Sequence, residues 1–174
     1  MEFVFETAYD AKATTAMAKV LRKTVRRKHS RRSHIFGWIV VILSLLLTLP
    51  LDGEPFVFEF RMLVTWVVTL MILIVFFCED RLNGAVARKN MIGGAGKVQC
   101  TFTEEHYVSV AEIGTTEWHY GKIEGIAETG DYFVFVFGKN HAQVYDKRSL
   151  TGGTEEDFRT FLTEKTGKTI QNIK

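Results

Sequence analysis

Few residues in this 174-residue chain have the chemistry of a site. His106, His119 and His141 fall on separate predicted strands. A metal centre built from them would need a convergence that their spacing does not impose, so they read as surface or half-buried histidines. The two cysteines, Cys78 and Cys100, form neither a CxxC nor a metal-type spacing and read as reduced packing thiols. Glu104-Glu105 fits a turn, and Glu155-Glu156-Asp157 fits the start of a helix, where carboxylates meet the positive end of the dipole. Lys147-Arg148 could hold a phosphate, although the region around it is acidic. Gly93-Gly-Ala-Gly96 lacks the lysine and Ser/Thr of a phosphate loop and reads as a hinge. There is no GxSxG, HExxH or dinucleotide fingerprint. The expectation is a protein that is not an enzyme, with no catalytic residue, metal or cofactor.

The elements around these residues are dominated by two uncharged apolar runs, Ile35–Leu51 and Met62–Cys78. A bilayer core needs about 20 helical residues, with roughly 17 as the lower limit, so both runs suffice if flanking residues extend them. Neither has the polar stripe of a soluble helix. Together they predict a transmembrane α-helical hairpin. Lys and Arg crowd the segment before the first run, and Arg81, Arg88, Lys89 and Lys97 follow the second, whereas the link 51–60 has neither residue. The positive-inside rule then gives a multi-pass protein of the inner (plasma) membrane with both termini cytoplasmic. The link reads as a turn at Asp52-Gly53 and Glu54-Pro55. Thr48, Thr65 and Thr69 could join the spans by hydrogen bonds.

The flanks differ in charge. Residues 1–97 carry 14 Lys/Arg against 8 Asp/Glu, and residues 98–174 carry 8 against 12. The basic half suits anionic membrane lipids, and the acidic half argues against nucleic acid. Glu2–Thr7 alternates like a strand, which needs a sheet to join. From Ala8 to Arg32 the spacing turns helical with Asp10 as cap, and nothing interrupts it before Gly37, so this helix should run into the first span. Arg22, Lys23, Arg26, Arg27, Lys28, Arg31 and Arg32 are the candidate lipid-headgroup contacts. The domain plan is thus 1–34 for the strand and basic helix, 35–78 for the hairpin, 79–97 for a linker, and 98–174 for a cytoplasmic domain.

That last domain reads as antiparallel strands at 98–103, 106–111, 122–128, 132–137 and 141–145, with a turn region over Glu112–Glu117. A closing helix follows from about Thr154 to Thr166, capped by Thr154 with Asp157 at the capping-box position, and with Phe158, Phe161 and Leu162 on its apolar face. The fold class is a membrane helical hairpin plus α+β, the cytoplasmic part being a pleckstrin-homology-like (PH-like) antiparallel sheet or barrel with a C-terminal helix. The opening strand could complete the sheet.

Trp118-His-Tyr-Gly-Lys-Ile-Glu-Gly-Ile-Ala-Glu128, Tyr132–Phe137, Val144-Tyr-Asp-Lys-Arg148 and Phe158-Arg-Thr-Phe-Leu162 resemble the YcxB-like proteins of bacteria. The resemblance implies two spans and a cytoplasmic PH-like domain, and it brings no catalytic residue or cofactor. Asp146 and Leu150 depart from a Pro and a Phe frequent at those places. The function expected is an adaptor binding an unknown protein partner, by strand addition or beside the last helix, with Trp118, Lys147, Arg148 and Phe158 as candidate contacts. The alternatives are a membrane-embedded immunity protein against a toxin or bacteriocin, and a lipid-sensing module. Both a monomer and a homo-oligomer remain open.

Overall fold

A computed structural model describes residues 2–48, 60–91 and 96–174. It is an α+β structure with two four-stranded sheets and four α-helices. The chain divides into two compact units, one made of residues 1–26 with 80–174 and the other of residues 27–79.

In the first unit, β1 (Phe3–Ala8) pairs antiparallel with β2 (Lys97–Phe102), from Phe3 opposite Phe102 to Ala8 opposite Lys97. The opening strand therefore does complete a sheet. β3 (Tyr107–Ala111) and β4 (Gly114–Trp118) extend it in the order β1-β2-β3-β4. β5 (Gly125–Glu128), β6 (Tyr132–Val136) and β7 (Ala142–Asp146) form the second sheet as a meander, and β8 (Ile170–Asn172) joins it parallel to β5. Two elements differ from the sequence reading. Glu112–Glu117 is not a turn region: the turn is confined to Glu112-Ile113, and Gly114–Trp118 pairs with β3. The β-branched pair Thr115-Thr116 favours the extended form, which the Gly and Glu neighbours obscured. β8 was not expected, because three residues are too few to show a period.

β6 is buried at every position because it is covered on both faces. Phe133 and Phe135 enter an aromatic core with Phe3, Phe5, Phe102, Tyr107 and Tyr145. Tyr132, Val134 and Val136 face the other way, toward α1 (Ala11–Lys23), whose Ala13, Met17, Val20 and Leu21 are buried. Each such Val, Leu or Met side chain contributes about 1.5–3 kcal/mol when fully withdrawn from water. Asp10 caps α1 by accepting from the amides of Lys12 and Ala13 at 2.9 and 2.8 Å.

The continuous helix expected from Ala8 to Arg32 is not formed. α1 stops at Lys23, and a second helix, α2, starts at Arg27 and runs to Leu46. Local bonds end α1: the Thr24 hydroxyl donates to Val20 O at 2.7 Å, and the Arg26 amide reaches back five residues to Leu21 O at 2.9 Å. Side-chain competition of this kind from a β-branched residue is what helical spacing does not reveal.

α4 (Glu155–Thr166) closes the core with Phe158, Phe161 and Leu162. Thr154 and Asp157 form the expected capping box, and Gly167 ends the helix at φ +64°, a conformation that favours glycine. α3 (Phe60–Lys89) continues past the apolar run, so residues 80–89 are helical and fall in the first unit. There Gly84 lies against α1, since a Cβ at this position would come within 2.8 Å of the Thr15 amide nitrogen.

The second unit holds α2 and the first part of α3. Among the described residues, α3 is the one helix long and apolar enough to cross a membrane. α2 spends residues 27–34 on polar side chains, which lowers its average. The two helices meet at three levels: His34 Nε2 lies 2.7 Å from Glu79 Oε2, Gly37 leaves room for the Phe76 ring, and the Ser44 and Thr69 hydroxyls bond at 2.8 Å. Of the three threonines expected to join the spans, only Thr69 does. Thr48 and Thr65 bond to carbonyls of their own helices. Large apolar side chains elsewhere on both helices, such as Phe36, Ile42, Leu43, Trp66, Leu70, Met71 and Phe77, are exposed. The expected turn at Asp52–Pro55 and most of the glycine hinge lie outside the described residues.

Candidate functional site

The free edge of the first sheet is β4. It is paired with β3 on one side only, and its first four residues are exposed. Edge strands are commonly blunted by Lys, Pro or a covering segment. β4 reads Gly-Thr-Thr-Glu-Trp and has no Lys or Pro. Beside it, Val110 and Ile113 expose apolar surface. The other end of this sheet is covered differently: β1 bonds to Thr151 through the Val4 amide and carbonyl, at 3.0 and 2.9 Å, and Thr7 Oγ1 accepts from the Asp146 amide at 3.0 Å.

Trp118 ends β4. Its ring meets Phe137 at a tilt and His141 edge-on, with centroids 5.0 and 5.5 Å away. Among the described residues, the Trp118 indole N–H is the buried side-chain polar group without a hydrogen-bond partner. Such a donor is costly to leave unpaired.

The other expected partner contacts are placed otherwise. Phe158 is fully buried, with its ring 4.8 Å from that of Phe5, so it packs the core and offers nothing to a partner. Its apolar helical spacing said that it faces inward, and that reading prevails. The Lys147 side chain is 7% exposed, with Nζ 3.0 Å from Glu128 Oε2 and 4.7 Å above the Phe133 ring, which removes it from the surface. Arg148 is 65% exposed and holds Asp146 through two side-chain bonds of 2.9 and 2.5 Å.

Glu128 is the hub that sequence reasoning missed. It accepts from Lys147 and from Arg159 Nε, each at 3.0 Å, while Arg159 also reaches Glu155 and Glu156. Burial pushes its carboxyl up, but the Lys147 and Arg159 bonds outweigh burial and hold it below its usual value. The available signal was a single acid on the short apolar strand Gly-Ile-Ala-Glu.

The expected headgroup cluster is divided. Arg22 grips Asp80 with two bonds of 2.6 and 2.7 Å, Lys23 donates to Lys174 O, and Arg26 donates to Lys139 O and Asn140 Oδ1. These three work inside the α+β unit. Arg27, Lys28, Arg31 and Arg32, on the first turns of α2, are exposed.

The histidines stand apart. His106 Nδ1 lies 3.7 Å from Glu117, whereas His141 packs on Trp118. Among the described residues, no three His, Cys, Asp or Glu side chains are gathered as metal ligands. Burial raises the Cys100 thiol to about 11, and its Sγ lies 3.4 Å from Ser109 Oγ. A cavity of about 780 Å³ is lined by Met17, Leu21, Val86, Met91, Val98 and Ile113, among others.

Among the described residues, these features define an α+β protein with an open sheet edge and one helix able, by length and composition, to cross a membrane. The model of the YcxB-like protein family matches residues 102–162, from the end of β2 into α4, which is the family that the sequence resembles. No curated protein matches the chain. Among solved structures, one similar chain belongs to "Structure of the Spt16D Pob3N heterodimer", at 14% identity, TM-score 0.33, and coverage of 44% of this chain and 46% of that one. The chain thus spans less than half of that protein, and so distant a likeness carries no weight for fold or function.

Proposed function

We propose that the protein is a non-enzymatic adaptor of the bacterial inner membrane, which receives an extended segment of a protein partner along β4. The supporting observation is the exposed edge Gly114–Trp118, which has no Lys or Pro. Its backbone offers main-chain hydrogen bonds for strand addition, and Val110, Ile113 and Trp118 flank it with apolar surface.

Connectivity supports the membrane anchor in this reading. β1 and β2 are paired, so the chain leaves and re-enters the same unit between Ala8 and Lys97. If α3 crosses the bilayer with Asp80 on the side of that unit, a second crossing must lie between Arg27 and Phe60. The apolar run from Ile35 supplies it, giving two spans with both termini in the cytoplasm. Two meanders, β1–β4 and β5–β7, closed by α4, follow the order of a PH-like domain. In this reading the spans are an insertion in its first strand connection.

The test places a photo-crosslinking residue at Thr116 on β4, or at Thr160 on the outer side of α4, in the full chain in its native membrane. A protein joined at Thr116 should, once purified, slow amide exchange across Gly114–Trp118. A partner that leaves those amides unprotected rejects strand addition. A secreted toxin joined through the spans would replace the adaptor with an immunity protein.

A further inference from the structure

The face of α1 that turns toward α3 carries Lys12, Thr15, Ala16 and Lys19, at helical spacings i, i+3, i+4 and i+7. The facing side of α3 carries Arg81, Ala85, Arg88 and Lys89 in the same rhythm. Thr15, Ala16 and Ala85 are small, and Gly84 lets the two backbones approach closely, so a floor forms with cations on both walls. The result is a cavity of about 1240 Å³, with Lys174 and the turn at Thr129–Tyr132 at its margins.

Charge in this cavity is strongly unbalanced. Lys12 lies 3.4 Å from Asp131. Among the described residues, Lys19, Arg81, Arg88 and Lys89 have no carboxylate partner, in contrast to Arg22, which faces the same pair of helices and is fully engaged by Asp80. Four cations without a carboxylate partner, of which Arg81, Arg88 and Lys89 are exposed, repel one another around a floor of small side chains, and an anion that enters relieves that repulsion. Arg81 lies three residues beyond Cys78, where the apolar run of α3 ends, and Arg88 lies about 10 Å further along the helix. This row matches an anion of several ångströms better than a single small ion.

We propose that this groove binds a phosphate-bearing group, with Arg81, Arg88, Lys89 and Lys19 as the residues that hold it. Guanidinium forks suit phosphate oxygens, and the flanking lysines add point charges. The phosphate could come from an anionic lipid headgroup or from a soluble phosphorylated compound. The site is independent of strand addition at β4 and of the exposed cluster Arg27, Lys28, Arg31 and Arg32.

The full chain, purified in neutral detergent, is titrated with short-chain phosphatidylglycerol, short-chain phosphatidylcholine or inorganic pyrophosphate, and binding is read by calorimetry. Binding of phosphatidylglycerol alone assigns a lipid headgroup, and binding of pyrophosphate as well extends the site to soluble phosphates. In either case R88Q/K89Q and K19Q should each weaken binding by about tenfold or more. K122Q, at an exposed lysine outside the groove, should leave it unchanged, and all variants should keep the parent unfolding midpoint, because the substituted side chains are not part of the core. The proposal fails if neither anion binds the parent protein. It also fails if the groove variants bind as tightly as the parent, or if K122Q loses as much as they do.

Discussion

Phe5 provides the sharpest test of the opening strand's place in the fold. It is fully buried, and its ring centroid lies 4.8 Å from Phe158, 5.7 Å from both Phe102 and Tyr145, and 6.2 Å from Phe133. One side chain thus ties β1 to β2, β6, β7 and α4. Phe5→Ala removes the ring and leaves a cavity whose walls are other rings held by their own strands, so little collapse is available. The usual cost of Phe→Ala in such a place is about 3–5 kcal/mol. Domains are stable by about 5–15 kcal/mol, so a fifth or more of the total would go. At about 2–8 °C per kcal/mol over the relevant domain sizes, the midpoint should fall by at least roughly 6 °C, with a central value of about 15 °C. The assay is thermal unfolding of the full chain in mild detergent, followed by near-ultraviolet circular dichroism of the aromatic core. Glu6→Ala, on the outer side of the same strand, is the control and should move the midpoint by about 2 °C or less. A shift of less than about 3 °C for Phe5→Ala would refute the argument that β1 is part of the core rather than an accessory to it.

Glu128 is held below its usual value by Lys147 and Arg159, so its contribution is present above the unfolded carboxyl range near pH 4.3 and is lost as pH falls through the lower folded value. Urea unfolding from pH 7 to pH 3 should show this loss in the parent protein and a shallower fall in Glu128→Gln, which should already be weaker at pH 7. Thr154→Ala removes the hydroxyl that accepts from the Asp157 amide at 3.2 Å and should cost about 1 kcal/mol in the same assay. Gly84→Val meets Thr15 backbone rather than a movable side chain, so α1 should detach locally and its amides should exchange faster. Cys100 should resist maleimide at pH 8 in the folded protein and react only after unfolding, because burial raises its thiol to about 11.

The sequence was most informative where one period ran long enough to fix a face. The capping box at Thr154 and Asp157, the inward side of Phe158, Phe161 and Leu162, the strands around Tyr132–Val136 and the helical run beginning at Phe60 were all legible. Strand β4 was not, because four exposed residues carry no apolar alternation to detect. The break at Thr24–Arg26 depends on hydroxyl and amide bonds that helical spacing does not encode. The site residues fared worst for a related reason. Charge and exposure go together in a sequence only on average, and Lys147 is buried by Glu128, a residue nearly twenty positions away. Arg22 likewise finds Asp80 across both apolar runs of the sequence, which no local pattern predicts.

The pairing of β1 with β2 also sets an order of assembly during synthesis. β1 leaves the ribosome first, but its partner begins at Lys97, and the α4 rings that cover Phe3 and Phe5 come later still. At roughly 5–20 residues per second, the opening strand waits on the order of ten seconds with two phenylalanines exposed. If the intervening helices cross the membrane twice, as proposed, they are handed to it in that interval and the chain returns to the same side, since a missed crossing would leave β2 out of reach. On the proposed two-span reading, closing the sheet acts as a checkpoint on insertion: chains with the wrong number of crossings would not bury Phe3 and Phe5, and would display to proteolysis the strand that correctly inserted chains conceal.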